Sequence, residues 1–150
     1  MGYIKSTKNL VLTLSADNFN VVKWWVDAAY GIRDDFKSQT GRTMTFGRGT
    51  IMRKSTKQKS NTKSSTEDEI IGASDMMPQI LWTRYFILSQ GLMVNKTILF
   101  QDNKSAILME ENGKLSSSQR TRHINIRYFF IKDRITTKEI EVQYCPTDNM

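Results

Sequence analysis

Two periodicities divide this chain. Branched and aromatic residues crowd Val21–Tyr30, and alternation sets Val22, Trp24, Val26 and Ala28 on one face of a strand, with Lys23, Trp25, Asp27 and Ala29 on the other. Before it lie a basic start, a short apolar run at Leu10–Leu14 and the turn-forming Ala16-Asp17-Asn18. After a polar, loop-like stretch at Gly31–Thr40, a hairpin is expected. Arg42–Phe46 would lead into a turn at Gly47-Arg48-Gly49, and Thr50–Gln58 would return. These three strands would form an antiparallel meander.

The period then changes. Ile70, Ala73, Met77, Ile80, Leu81, Tyr85 and Leu88 recur at helical spacing, which predicts a helix from about Ser65 with a core-facing stripe. Thr66-Glu67-Asp68-Glu69 fits a capping box, Thr66 at the cap and Glu69 reaching back. Pro78 removes a donor inside the run, so a kink or break is expected there, and Gly91 suits the C′ position. Thr97–Phe100 reads as a short strand, Ala106–Glu110 as a short helix and Asn112–Gln119 as a polar loop. Arg122–Ile135 reads as a helix with Ile124, Tyr128, Ile131 and Ile135 on one side, and Glu139–Tyr144 as a last strand. Strand–helix–strand order around Thr97–Phe100 implies parallel pairing with the first strand through a right-handed crossover. The class is α/β.

Composition narrows the chemistry. The 150 residues suit one domain, and 39% hydrophobic with 25% charged residues is ordinary for a folded one. A net charge of +7 favours a polyanionic partner, although small domains carry such charge for solubility alone. One cysteine and one histidine exclude an internal disulfide and the common zinc sites. No stretch reaches the length of a membrane span, and an intracellular, reducing compartment, cytoplasmic or nuclear, is expected. Between Asp35 and Glu67 there is no acidic residue, while Arg48, Arg53, Lys54, Lys57 and Lys59 lie on or beside the expected hairpin. Such a run is either a solvated face or a basic ledge suited to phosphates.

Three carboxylates stand where chemistry could gather. Asp27 interrupts an apolar strand, Glu69 opens the long helix, and Asp102 sits at the carboxyl end of the strand expected beside the first. Brought together they would repel one another, and their ionised forms would persist only beside cations. Oxygen donors without histidine or cysteine suit magnesium or manganese, two ions of which can clamp a phosphodiester. Each residue also has a plainer role open to it. Asp27 could lie on a half-solvated face, Glu69 could be only a capping partner, and Asp102 or Asn103 could cap the next helix. His123 suits a structural or phosphate-contact role.

Trp25-Val26-Asp27-Ala28, Ser64-Ser65-Thr66-Glu67-Asp68-Glu69, Gln101-Asp102-Asn103-Lys104-Ser105-Ala106 and Arg120-Thr121-Arg122-His123-Ile124 stand in that order. Together they resemble the ribonuclease H domain of copia-type retrotransposon Pol polyproteins. The resemblance implies a ribonuclease H-like fold, with a five-stranded mixed sheet of three antiparallel and then two parallel strands flanked by helices. Residues 1–19 would be the tail of the reverse transcriptase connection and 20–150 the nuclease. It also implies endonucleolytic hydrolysis of the RNA strand of an RNA–DNA hybrid by two Mg²⁺ or Mn²⁺ ions. Asp27, Glu69 (rather than Glu67) and Asp102 would be the catalytic ligands. Asn103, Ser105, Arg120, Arg122 and His123 join the hairpin basic residues as expected nucleic-acid contacts. The family's fourth acidic residue lies in a closing helix beyond Met150. The role is not carried onto Asp148, so the last helix is expected to be missing and activity impaired, as in a fragment of a polyprotein gene. The alternative is a non-catalytic nucleic-acid-binding relic of the same domain.

Overall fold

A computed structural model describes residues 2–112 and 122–150, with the side chains of all of these except Tyr3, Arg122, His123 and Ile124. In chain order the elements are α1 (Gly2–Thr7), β1 (Ser15–Ala16), β2 (Val21–Ala29), β3 (Gln39–Thr45), β4 (Gly47–Arg48) and β5 (Met52–Lys57). There follow α2 (Ser65–Ser89), β6 (Lys96–Gln101), α3 (Lys104–Asn112), α4 (Arg122–Thr136), β7 (Glu141–Tyr144) and a 3-10 turn at Thr147–Asn149. The main sheet runs β5-β3-β2-β6-β7. β2 pairs antiparallel with β3, and β3 antiparallel with β5, whereas β2–β6 and β6–β7 are parallel. The mixed five-stranded sheet is thus the one expected.

Strand alternation does what the sequence requires of it. Val22, Trp24 and Val26 are buried and pack with Leu99, Val142, Met44 and the α2 residues Ala73, Met76, Met77 and Ile80, with Ile131 of α4 completing the core. On the opposite face Trp25 stacks on Phe100 with ring centroids 4.9 Å apart. Helix α2 is continuous from Ser65 to Ser89 with Pro78 inside it, so of the expected kink or break the break does not occur. Met76, Met77 and Ile80, all fully buried around the proline, tie both halves of the helix to one core. At its end Gly91, at φ 78°, donates to the Leu88 carbonyl while Leu92 N–H reaches Ile87 O, the bond pair of a Schellman closure.

The expected hairpin is modified by a neighbour. Gly47 and Arg48 are not a free turn; they pair antiparallel with Ser15–Ala16 as a separate two-stranded ribbon, and the return strand begins only at Met52. Gly49 has φ 76°, and a Cβ there would stand 2.4 Å from the Thr13 carbonyl oxygen. A second glycine sets the depth of the layers. A Cβ on Gly72 would lie 3.1 Å from Thr40 Cγ2 and 3.3 Å from Val26 Cγ2, so α2 approaches β2 and β3 closely one turn after Glu69.

Candidate metal centre

Three consecutive acidic residues open α2, and helical rotation sends each to a different place. Ser64, not Thr66, is the N-cap, its Oγ accepting the Glu67 amide at 3.2 Å. Glu67 reaches back to the Lys63 amide at 2.7 Å. The expected box was therefore displaced by two residues, because Ser64-x-x-Glu67 and Thr66-x-x-Glu69 both satisfy its pattern. Asp68 is fully buried and accepts from Ser38 Oγ and Thr62 Oγ1, each at 2.6 Å, locking the start of α2 to the β2–β3 connection and the loop before the helix. Glu69, relieved of capping, turns to the sheet. Its Oε1 accepts the Ala28 amide at 2.9 Å.

The close approach at Gly72 makes that bond reachable, and it sets Glu69 beside Asp27. Asp102 follows the last residue of β6, which pairs in parallel with β2. Asp27, Glu69 and Asp102 each offer one carboxylate oxygen, and these oxygens lie within 4.8 Å of one another. The cleft they line, of about 530 Å³, also contains Ser65, Asn103, Lys104, Ser105 and Tyr144. Asp102 does not cap α3; its Oδ2 accepts from Thr147 Oγ1 at 2.6 Å. Asn103 does cap it, its Oδ1 accepting the Ala106 amide at 3.0 Å.

Burial drives the Glu69 carboxyl up to about 8, with the Ala28 amide opposing and Asp102, Asp27 and Asp68 adding to the rise. Asp27 opens to solvent, yet the protein beneath its carboxyl raises it above the ordinary range, Asp102 adds to the rise and the Ala28 amide opposes it. Among the described residues none of the three forms an ion pair. Lys104 lines the cleft but sets its Nζ over the Tyr144 ring, 4.5 Å from the centroid. Glu69 Oε2 is buried and has no hydrogen-bond partner. A buried acceptor without a donor, beside two more carboxylates, is the environment a hard divalent cation satisfies. The donor set therefore fits Mg²⁺ or Mn²⁺.

Of the basic residues, Arg53, Lys54 and Lys57 lie on the edge strand β5, Arg48 lies on β4 of the small ribbon, and Lys59 lies just past β5. By register Arg53 and Lys57 of the edge strand β5 share the face of Trp25 and Asp27. Arg53, Lys54, Lys59 and Arg48 are exposed, while Lys57 is ion-paired with Asp35. Ser105 is exposed at the cleft. Arg120 lies outside the described residues, and Arg122 and His123 are placed only as backbone in the first turn of α4. Sequence reasoning missed the Thr147 bond to Asp102 and the Ser38 bond to Asp68, each of which joins residues remote in the chain.

Comparison with known proteins bears on this arrangement. No protein-family model matches the chain. The retrovirus-related Pol polyprotein from transposon TNT 1-94 of Nicotiana tabacum is 32% identical over 149 residues, covering 99% of this chain and 11% of the polyprotein. That from transposon RE1 of Arabidopsis thaliana is 26% identical over 98% of the chain and 10% of its own length. Among solved structures, LC11-RNase H1, isolated from compost by a metagenomic approach, superposes with a TM-score of 0.63 at 10% identity, covering 87% of each chain. The same enzyme in complex with an RNA/DNA hybrid gives 0.58 at 9% identity, over 85% of this chain and 86% of that one. The chain has a ribonuclease H fold and is homologous to retrotransposon Pol polyproteins. This ribonuclease H-like chain spans about a tenth of the length of the polyproteins it matches. Among its described residues no helix is long and apolar enough to cross a membrane.

Proposed function

We propose that this chain is the ribonuclease H segment of a copia-type Pol polyprotein that also carries a reverse transcriptase, and that it hydrolyses the RNA strand of RNA–DNA hybrids. The observation that carries the reading is the convergence of Asp27, Glu69 and Asp102, from three separate elements, around the unpartnered Glu69 Oε2. These carboxylates would hold two Mg²⁺ or Mn²⁺ ions. Bound metal would supply Lewis acidity at the scissile phosphate and a water of lowered pKa. The Ala28 amide fixes Glu69, and the Thr147 hydroxyl fixes Asp102, so two of the three donors are oriented before any ligand arrives. Arg53 and Lys54 at the sheet edge, with Lys59 and Arg48, would neutralise backbone phosphates; such contacts position a duplex without reading its sequence. Preference for the hybrid would rest on the shape of its minor groove and on the 2′-hydroxyls.

The test is cleavage of an end-labelled hybrid in Mg²⁺ or Mn²⁺. Asp27→Asn keeps the size of the side chain and removes its charge, and it should abolish cleavage while leaving salt-sensitive hybrid binding in place. Equal activity in wild type and variant would remove the catalytic assignment. Hybrid binding by the wild type that no metal converts into cleavage would instead favour the non-catalytic relic.

A further inference from the structure

Behind the carboxylate cluster lies a second pair of polar side chains that the proposed reaction does not use. Gln101 is the last residue of β6, and Glu110 belongs to α3; both are fully buried. Gln101 Nε2 donates to Glu110 Oε1 at 3.2 Å. The other two oxygens of the pair, Gln101 Oε1 and Glu110 Oε2, are buried and have no partner. Two acceptors left over on two bonded side chains are what remains when a carboxyl is drawn without its proton. A proton on Glu110 Oε2 supplies the one donor that Gln101 Oε1 lacks, and closes the ring that an amide and a carboxylic acid form head to head.

The surroundings favour the neutral form. The charged groups that act on Glu110 are Glu69 from α2 and Glu111 beside it on α3, both negative, and burial weighs more than either. From β6 the neighbour of Gln101 is Asp102, also acidic. The nearby cations of the described residues are engaged elsewhere: Lys132 of α4 with the Asn112 carbonyl, Arg127 of α4 with Asp75, and Lys104 of α3 over Tyr144 of β7. Among the described residues none forms an ion pair with Glu110. On the main-chain side, Gln101 O accepts the Cys145 amide at 2.8 Å. Gln101 is thereby held by β7 through its backbone and by α3 through its side chain, and the next residue is Asp102.

We propose that Glu110 is a positioning residue: as an uncharged acid it closes a two-bond pair with Gln101, and that pair fixes the end of β6 from which Asp102 projects. The proposal rests on the metal-dependent reading of the site. It assigns Glu110 no contact with substrate or metal. Its role is to set where one ligand stands.

The experiment compares Glu110→Gln and Glu110→Ala with wild type in two measurements, Mn²⁺ binding by calorimetry and urea unfolding in EDTA at a series of pH values. Glutamine keeps the ring, its amide hydrogen replacing the acid proton, so Glu110→Gln should bind Mn²⁺ as wild type does. Glu110→Ala should lose about 10-fold to 100-fold in affinity, the range seen when groups that orient metal ligands are removed. Burial holds Glu110 up at about 8, from an ordinary 4.5. Its contribution to stability is complete below pH 4.5 and is lost as the pH rises through 8. Glu110→Gln should therefore lack this part of the alkaline loss, a readout that stands even if Glu110→Ala fails to fold. Wild-type Mn²⁺ affinity in Glu110→Ala, weak binding in Glu110→Gln, or an unchanged pH slope in Glu110→Gln would each overturn the proposal. A wild type that binds Mn²⁺ but does not cut hybrid would refute only the nuclease reading, and one that takes up no Mn²⁺ would refute both.

Discussion

Replacing Glu69 with glutamine should make the metal-free protein more stable at alkaline pH while destroying its response to divalent metal. Glu69 is 3% exposed, and burial raises its carboxyl from an ordinary 4.5 to about 8. A folded value above the unfolded one gives stability that is complete below pH 4.5 and is lost as the pH rises through 8. That rise corresponds to at most about 5 kcal/mol, and relaxation around the ionised group would reduce it to a few kcal/mol. Glu69→Gln keeps an oxygen for the Ala28 amide, so the bond that orients the side chain survives. At pH 5 in EDTA the two proteins should therefore have similar stability. At pH 8 the variant should be the more stable by about 2–5 kcal/mol.

Metal should stabilise wild type alone and so narrow this gap. At a Mn²⁺ concentration near 100 times the dissociation constant, wild type should gain about 2.7 kcal/mol, and the variant, lacking a ligand, close to nothing. Glu110 rises in the same direction and is present in both proteins, so their difference reports Glu69 together with its repulsion of Glu110. The assay is urea unfolding by tryptophan fluorescence at pH 5, 6, 7 and 8, in EDTA and in Mn²⁺. Parallel pH curves for the two proteins, or equal stabilisation of both by Mn²⁺, would refute the reasoning.

Three further substitutions test how the scaffold is built. Ser64→Ala removes the cap of α2 and should cost about 1 kcal/mol in urea unfolding, whereas Thr66→Ala should change stability by less than about 0.5 kcal/mol; the opposite ranking would restore the capping register read from sequence. Gly49→Ala puts a Cβ onto the Thr13 carbonyl at φ 76° and should cost at least about 1 kcal/mol. Hydrogen exchange at Ser15–Ala16 should accelerate in that variant, and unchanged protection there would show that the β1–β4 ribbon does not depend on this glycine.

What the sequence revealed is what local pattern encodes. Alternation along Val21–Ala29 identifies the buried face of β2, and the stripe from Ile70 to Ile80 identifies the side of α2 that meets it. Glu69 was preferred to Glu67 because the apolar start of the helix follows it, but local pattern did not separate the two overlapping capping boxes that fit the same six residues. The tie was broken by the Ala28 amide, a partner far away in the chain. Pro78 reads locally as a breaker, yet burial on both sides of it keeps one helix. The Gly47–Gly49 segment reads as a free turn because its other half, residues 13–16, comes from a stretch with weak strand character. The pairing of Gln101 with Glu110 leaves no periodic mark, since a buried acid and an exposed one look alike on a short helix.

Asp27, Glu69 and Asp102 are delivered by a strand, a helix and a second strand end, with a long excursion of the chain between each pair. No shorter stretch contains the cluster, so cation uptake can begin only after β6 has docked against β2 and α2 has settled across both. Divalent metal would therefore act as a late clamp on assembly as well as a reagent. A partly folded chain would be blind to it, and its absence should loosen the tie between the ends of β2 and β6 that carry Asp27 and Asp102.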